Sequence, residues 1–156
     1  RLYHDLYDVE TVTLRYFNVY GPNQTGGDYA GVIDVFADQA RNGDPITVHG
    51  DGQQTRDFVH VDDVVRANRL AARTEHVGRA YNVGTGEAVT IRDLAERIRE
   101  RVGSDSEIVH TTARDGDIRH SRADISRARD RLEYDVTVGL DAGLDTAVPA
   151  APDAEQ

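Results

Sequence analysis

Apolar residues recur at helical spacing in six stretches, and short β-branched or aromatic runs fall between them. Leu2, Tyr3, Leu6 and Tyr7 trace one face of a helix that the pattern starts upstream of Arg1. Ile33, Phe36, Ala37 and Ala40 trace a second over Val32–Asn42, stopped by Gly43. A third spans Asp62–Arg73 and buries Val61, Val64, Val65, Ala71 and Ala72, with Asn68 on the same face as a hydrogen-bonded structural amide. Thr90 and Asp93 resemble a capping box ahead of Ile91, Leu94, Ala95, Ile98 and Val102, and Gly103 ends that helix. Asp124 caps a short helix carrying Ile125, Ala128 and Leu132, and Thr137–Val148 forms the last. Strands are expected over Glu10–Tyr16, Ile46–Val48, Phe58–Val61, Ala80–Val83 and Glu107–Thr111, with a loop at Phe17–Pro22, a polar loop from Asn23 to Tyr29 and a disordered tail from Pro149. Strands alternating with helices predict an α/β fold.

Composition narrows the partners. The formal net charge of -10 repels nucleic-acid phosphates. No apolar run reaches membrane-spanning length, and the absence of cysteine rules out disulfides and thiolate metal sites and fits a cytoplasmic protein. All 18 basic residues are arginine, and the 28 acidic ones are mostly aspartate. That usage predicts either adaptation to high salt, which screens carboxylate repulsion, or a GC-rich genome. With no lysine, the chain cannot complete lysine-dependent chemistry by itself.

The stretch Ile46–Val65 concentrates the candidate chemistry. Gly50-Asp51-Gly52 turns the chain after one short run, Arg56 and Asp57 precede the next, and Asp62 and Asp63 open a helix. Two strands and a helix start thus converge with one arginine at their mouth, which on these residues alone reads as an ordinary βα turn with a solvated arginine or, alternatively, as a place to hold an anion. Asn18 stands at the end of a strand, where open α/β sheets bind ligands. Gly84-Thr85-Gly86 follows a strand, but Val89 occupies the third glycine position of a dinucleotide fingerprint, so a tight turn is the expectation. His49 and His60 have no carboxylate at metal-ligand spacing, and Asp51, Asp57, Asp62 and Asp63 lack the alternation of a calcium loop.

LRYFNVYGP at Leu14–Pro22, ITVHGDGQQTRDFVHVDDVV at Ile46–Val65, YNVGTG at Tyr81–Gly86 and RDGD at Arg114–Asp117 occur in this order. Together they resemble the C-terminal half of the extended short-chain dehydrogenases, and most of all the NAD-dependent nucleotide-sugar epimerases of the UDP-glucose 4-epimerase type. The resemblance implies the last part of an NAD-binding Rossmann domain plus a small mixed α/β substrate-binding domain. Residues 1–22 would end the Rossmann segment, 23–148 would mainly bind the nucleotide sugar with 56–86 returning in part to the Rossmann sheet, and 149–156 would be a tail. It implies NAD as cofactor, a UDP-sugar or other nucleotide-diphosphate sugar as ligand, and a homodimer formed through an upstream domain.

The same resemblance implies the following roles. Phe17 lies against the nicotinamide end of NAD, Asn18 and Val32 contact substrate, and the main chain of Thr47 and His49 pairs with the uracil. Arg56 and Arg114 grip the diphosphate, and Asp117 binds the nucleotide ribose. His49 stands where an aromatic ring is common, and Phe58 where tyrosine is. The catalytic Tyr-x-x-x-Lys pair of this family is upstream of Arg1. Three functions therefore stand open: part of a sugar-nucleotide 4-epimerase, part of a dehydratase or decarboxylase of the same superfamily, or a non-catalytic sugar-nucleotide-binding module.

Overall fold

Val32–Asn42 forms α2, burying Ile33, Phe36, Ala37 and Ala40, and Gly43 ends it in the left-handed conformation, φ 72°. Its apolar stripe and its glycine stop agree, so local sequence settles this helix. The same holds for α4, Ile91–Val102, where the Thr90 hydroxyl accepts the Asp93 N–H at 3.0 Å and Gly103 closes the other end. A computed structural model describes residues 1–24 and 31–149. The expected Asn23–Tyr29 loop and the tail therefore fall largely outside the described residues.

The described chain divides into two compact units. The first comprises residues 1–19, 57–88 and 122–140. Here β1, Val12–Tyr16, pairs in parallel with β6, Arg79–Val83, so that Val12 faces Arg79 and Tyr16 faces Val83. Phe17 continues the ladder, its N–H donating to the Val83 carbonyl at 2.9 Å. The helix α3, Val61–Ala71, packs on β1 and on β5, Phe58–His60, while α5, Ser126–Leu132, packs on β6. Val59, Val64, Ala67, Tyr81, Val83, Ile125, Ala128, Leu132 and Tyr134 share one core. The opening helix α1, Leu2–Tyr7, buries nothing, and Leu2, Tyr3, Leu6 and Tyr7 are all more than half exposed.

The second unit comprises residues 20–56, 89–121 and 141 onward. Its strand β3, Ile46–His49, pairs in parallel with β8, Ile108–Thr111. The helices α2 and α4 pack on each other and on β3. A last helix α6, Leu140–Ala147, buries Leu144 and is held to α4 by ion pairs: Arg97 reaches both Asp141 oxygens at 2.7 and 2.8 Å, and Arg101 bridges Asp141 and Asp145. Donation from Arg97 and then Arg101 holds the Asp141 carboxyl below the usual carboxylate range. No helix among the described residues is long and apolar enough to cross a membrane.

Several expectations change. Phe17–Pro22 is not all loop, because Asn18–Tyr20 forms β2, which pairs with β5. The Asn18 N–H and side-chain amide both donate to the Asp57 carbonyl, at 3.1 and 2.7 Å, and so hold this stretch extended. Two further strands, β4 at Thr55–Arg56 and β7 at Val89–Thr90, pair antiparallel and are too short to show a period. On α3 the inward positions include Asp63, fully buried, while Val65 is 53% exposed. Asp63 turns inward because its carboxylate accepts the Thr137 and Val138 N–H groups, at 3.0 and 3.1 Å. Those two residues are consequently outside α6, which opens only after Gly139. Asn68 is hydrogen-bonded as expected, donating to the Val64 carbonyl and accepting from the Tyr16 hydroxyl, but it is exposed.

Candidate functional site

The strand β3 is open along one side. The Ile46 N–H donates to the Glu107 carbonyl at 2.8 Å and the Gly50 N–H to that of Thr111 at 2.9 Å, so the main-chain groups of 46, 48 and 50 face β8. Those of Thr47 and His49 point to the opposite edge, where no strand pairs with β3 among the described residues. Two glutamines occupy the ends of that edge. Gln39 on α2 accepts the Thr47 N–H at 3.0 Å, and Gln54 donates to the His49 carbonyl at 2.7 Å. Between them stand the Thr47 carbonyl, an acceptor, and the His49 N–H, a donor, neither engaged by these glutamines. Gly50 and Gly52, at φ 74° and 72°, then turn the chain as the sequence requires.

Beside this edge runs a connected set of side chains. Arg56 on β4 donates to the Asp117 carboxylate and to the Thr55 carbonyl, and its side chain is only 14% exposed. The Asp117 N–H donates to the Arg114 carbonyl at 3.2 Å, closing a turn through Gly116 at φ 77°. The Arg114 guanidinium donates to His49 Nε2 at 3.2 Å. Four of the candidate residues, His49, Arg56, Arg114 and Asp117, are thus joined by hydrogen bonds. Asp117 presents a second carboxylate oxygen beyond the one that meets Arg56, and a carboxylate has acceptor capacity for both. Thr47 belongs to the same strand, and Val32 opens α2, half-buried.

Arg119 stands apart from this set. It grips Asp51 through two bonds of 2.7 and 2.9 Å on the surface. These bonds, more than the further one from the Gln53 N–H, hold the Asp51 carboxyl down to about 2.

In the first unit Phe17 is half-buried against the core, and the Asn18 amide nitrogen is committed to Asp57. Asp57 itself is fully buried. Its two oxygens accept the Thr85 N–H at 2.8 Å, the Thr85 hydroxyl at 2.7 Å, the Gly86 N–H at 2.9 Å and the Ala123 N–H at 3.0 Å. This decides the status of Gly84-Thr85-Gly86. A phosphate cradle needs free N–H groups, and here they already surround a carboxylate. The turn is a structural clasp, and a side chain at Gly84 would collide with Ala123 and Asp57. This turn therefore offers no cradle for the phosphates of a dinucleotide.

Gln39, Gln54, Thr111 and Thr112 complete the site and are not conspicuous in the sequence. Each acts on a neighbour fixed by tertiary pairing. The one signal is that Gln39 and Gln54 are amides beside a strand edge whose two outward groups need a donor and an acceptor.

A parallel pair packed with helices, and a second unit whose parallel pair packs with two more helices, define an α/β protein. The model of the NAD dependent epimerase/dehydratase family matches residues 1–84. The chain belongs to that family. It is 36% identical over 95% of its length to a putative UDP-glucose 4-epimerase of Methanocaldococcus jannaschii, of which it covers 48%. It is also 36% identical, over 84% of its length, to a UDP-N-acetyl-alpha-D-glucosaminuronate decarboxylase of Bacillus cytotoxicus, covering 43% of it. Among solved structures, the UDP-glucose 4-epimerase of Thermotoga maritima with UDP-glucose superposes at a TM-score of 0.90, with 37% identity, 94% of this chain and 47% of that one. The chain spans about half the length of the curated relatives it matches.

Proposed function

We propose that this chain is the substrate-binding part of an NAD-dependent nucleotide-sugar epimerase of the UDP-glucose 4-epimerase type. The observation that carries the reading is the open β3 edge beside the Arg56–Asp117 and Arg114–His49 contacts. A nucleoside diphosphate asks for a donor and an acceptor toward its base, a hydroxyl acceptor toward its ribose and planar cations toward its phosphates. The His49 N–H and Thr47 carbonyl answer the first, Asp117 the second, and Arg56 and Arg114 the third, since guanidinium bonds two oxygens in a plane. Asn18 and Val32 would contact the sugar, with the Asn18 side-chain oxygen outside the bond to Asp57. Residues 1–19 and 57–88 would belong in part to the NAD-binding domain, and Phe17 would lie against the nicotinamide end. When bound, NAD would supply hydride acceptance and return at the sugar C4. This chain's contribution is to hold the nucleotide so that the sugar is presented to it.

The likeness to a decarboxylase keeps a second reaction of the same superfamily in view, and product analysis separates them. The complete protein is expected to convert UDP-glucose and UDP-galactose into one another. A 4-keto-6-deoxy product would make it a dehydratase, and carbon dioxide from a UDP-uronic acid a decarboxylase. The isolated 156-residue chain is expected to convert none of these. Turnover by it would refute the assignment of catalysis to residues outside it.

Salt adaptation is a further part of the proposal. With a net charge of -10, screening removes carboxylate repulsion. The same screening weakens exposed ion pairs such as Arg119–Asp51, but these contribute only about 0–1 kcal/mol each. The complete protein is therefore expected to melt at a higher temperature in molar KCl than in dilute buffer. An unchanged or lower melting temperature leaves genome composition as the reason for the arginine usage.

A further inference from the structure

His49 has a side-chain role that its main-chain position does not explain. Arginine has no acceptor, so the 3.2 Å contact between Arg114 and His49 Nε2 requires a lone pair on that nitrogen. The ring proton is then on Nδ1, which is 3.2 Å from the Thr112 carbonyl and 3.2 Å from the Thr111 hydroxyl. The tautomer and the ring plane are thereby both set by Thr111 at the end of β8 and by Thr112 just beyond it. The two turns flanking this contact are tied together as well: the Gly50 N–H donates to the Thr111 carbonyl, and His110 Nδ1 is 2.8 Å from the Gly50 carbonyl. Arg114, by contrast, follows the strand in an exposed turn, where a long side chain without this bond would sample many rotamers.

We propose that His49 is a positioning residue that pre-orders Arg114 for the diphosphate, an inference that rests on the nucleotide-sugar reading above. A phenylalanine at 49 supplies a ring but no acceptor, so it cannot hold a guanidinium in this way. Histidine adds an acceptor on the same residue whose N–H faces the open edge. One residue then couples base and phosphate recognition: its main chain faces the nucleobase, and its side chain aims the cation. Ordering one rotamer-rich side chain before binding is worth about two- to tenfold in affinity.

The test is a double-mutant cycle in the complete protein, with UDP as the probe and uridine as its phosphate-free control, both titrated by calorimetry. His49→Phe is expected to weaken UDP binding about two- to tenfold and to leave uridine binding unchanged. His49→Gln, which restores an acceptor, is expected to recover most of the loss. In the Arg114→Ala background His49→Phe is expected to cost nothing more. His49→Leu repeats the cycle should the larger ring disturb the turn. Equal fold losses from His49→Phe with and without Arg114 overturn the proposal, as does an equal loss for uridine, which would make the ring a base contact. Wild-type protein that binds no UDP overturns the nucleotide-sugar reading and this inference with it; wild-type binding with independent effects overturns this inference alone.

Discussion

Replacing either arginine of the proposed clamp, Arg56→Ala or Arg114→Ala, is expected to weaken UDP binding by the complete protein by about 2–5 kcal/mol. The size follows from what is left behind. A diphosphate partly removed from water loses a charged, hydrogen-bonding partner and cannot recover it from solvent. Arg56 should be the costlier loss. Its side chain is mostly buried, and its removal leaves the Asp117 carboxylate uncompensated beside the incoming phosphates. Arg56→Lys should rescue only part, since an ammonium cannot span two oxygens in a plane. Arg119→Ala is the control: that guanidinium is already occupied by Asp51 on the surface. Calorimetric titration with UDP decides the matter, and a folded clamp mutant binding within about threefold of wild type would show a mere surface arginine, since an exposed pair contributes no more than about 1 kcal/mol.

Loss of the buried carboxylate at 57 is the second large effect expected. Asp57→Ala leaves the Thr85, Gly86 and Ala123 N–H groups without their acceptor. Each unsatisfied buried donor costs about 1–3 kcal/mol, so the local loss should reach roughly 3 kcal/mol or more. Amide exchange in the complete protein reads it directly, as lost protection at those three residues. Asp44→Ala, at an exposed position, should stay within about 0.5 kcal/mol of wild type. Unchanged protection at all three amides would show that water replaces the carboxylate and that the clasp is not a strong tie.

The elements legible in the sequence were those where periodicity and a stop signal agree. α2 with Gly43, α4 between Thr90 and Gly103, and the turn at Gly50–Gly52 are of this kind. What was not legible depended on a distant partner. Nothing local says that Asp63 turns inward while Val65 turns out; that follows from the Thr137 and Val138 N–H groups, which need an acceptor. The two-residue strands β4 and β7 exist only as a pair. At the proposed site, the need of a diphosphate for planar cations points to arginines in the sequence, but which side chains they meet was not readable. The Arg56–Asp117 contact spans 61 positions and the Arg114–His49 contact 65. Both depend on how β3 meets β8 and on the Thr55–His120 bridge. Asp57 reads as one more acidic residue near a turn, and only its four donors reveal it as the knot of its unit.

The division of the chain also bears on how it comes to be folded. Each unit is assembled from three separated stretches, and the last stretch of the first unit begins at residue 122. That stretch brings Ala123, Ile125, Ala128, Leu132 and Tyr134, much of the first unit's core. During synthesis β1 and β6 must therefore wait, half-covered, until residues beyond 134 emerge, and the second unit waits longer still for α6. Contacts so far apart along the chain close slowly, and unfinished strand edges invite association in the meantime. A ribosome that stops near residue 121 releases a chain lacking core from both units, so premature termination here should yield aggregates or degraded product rather than a smaller folded protein.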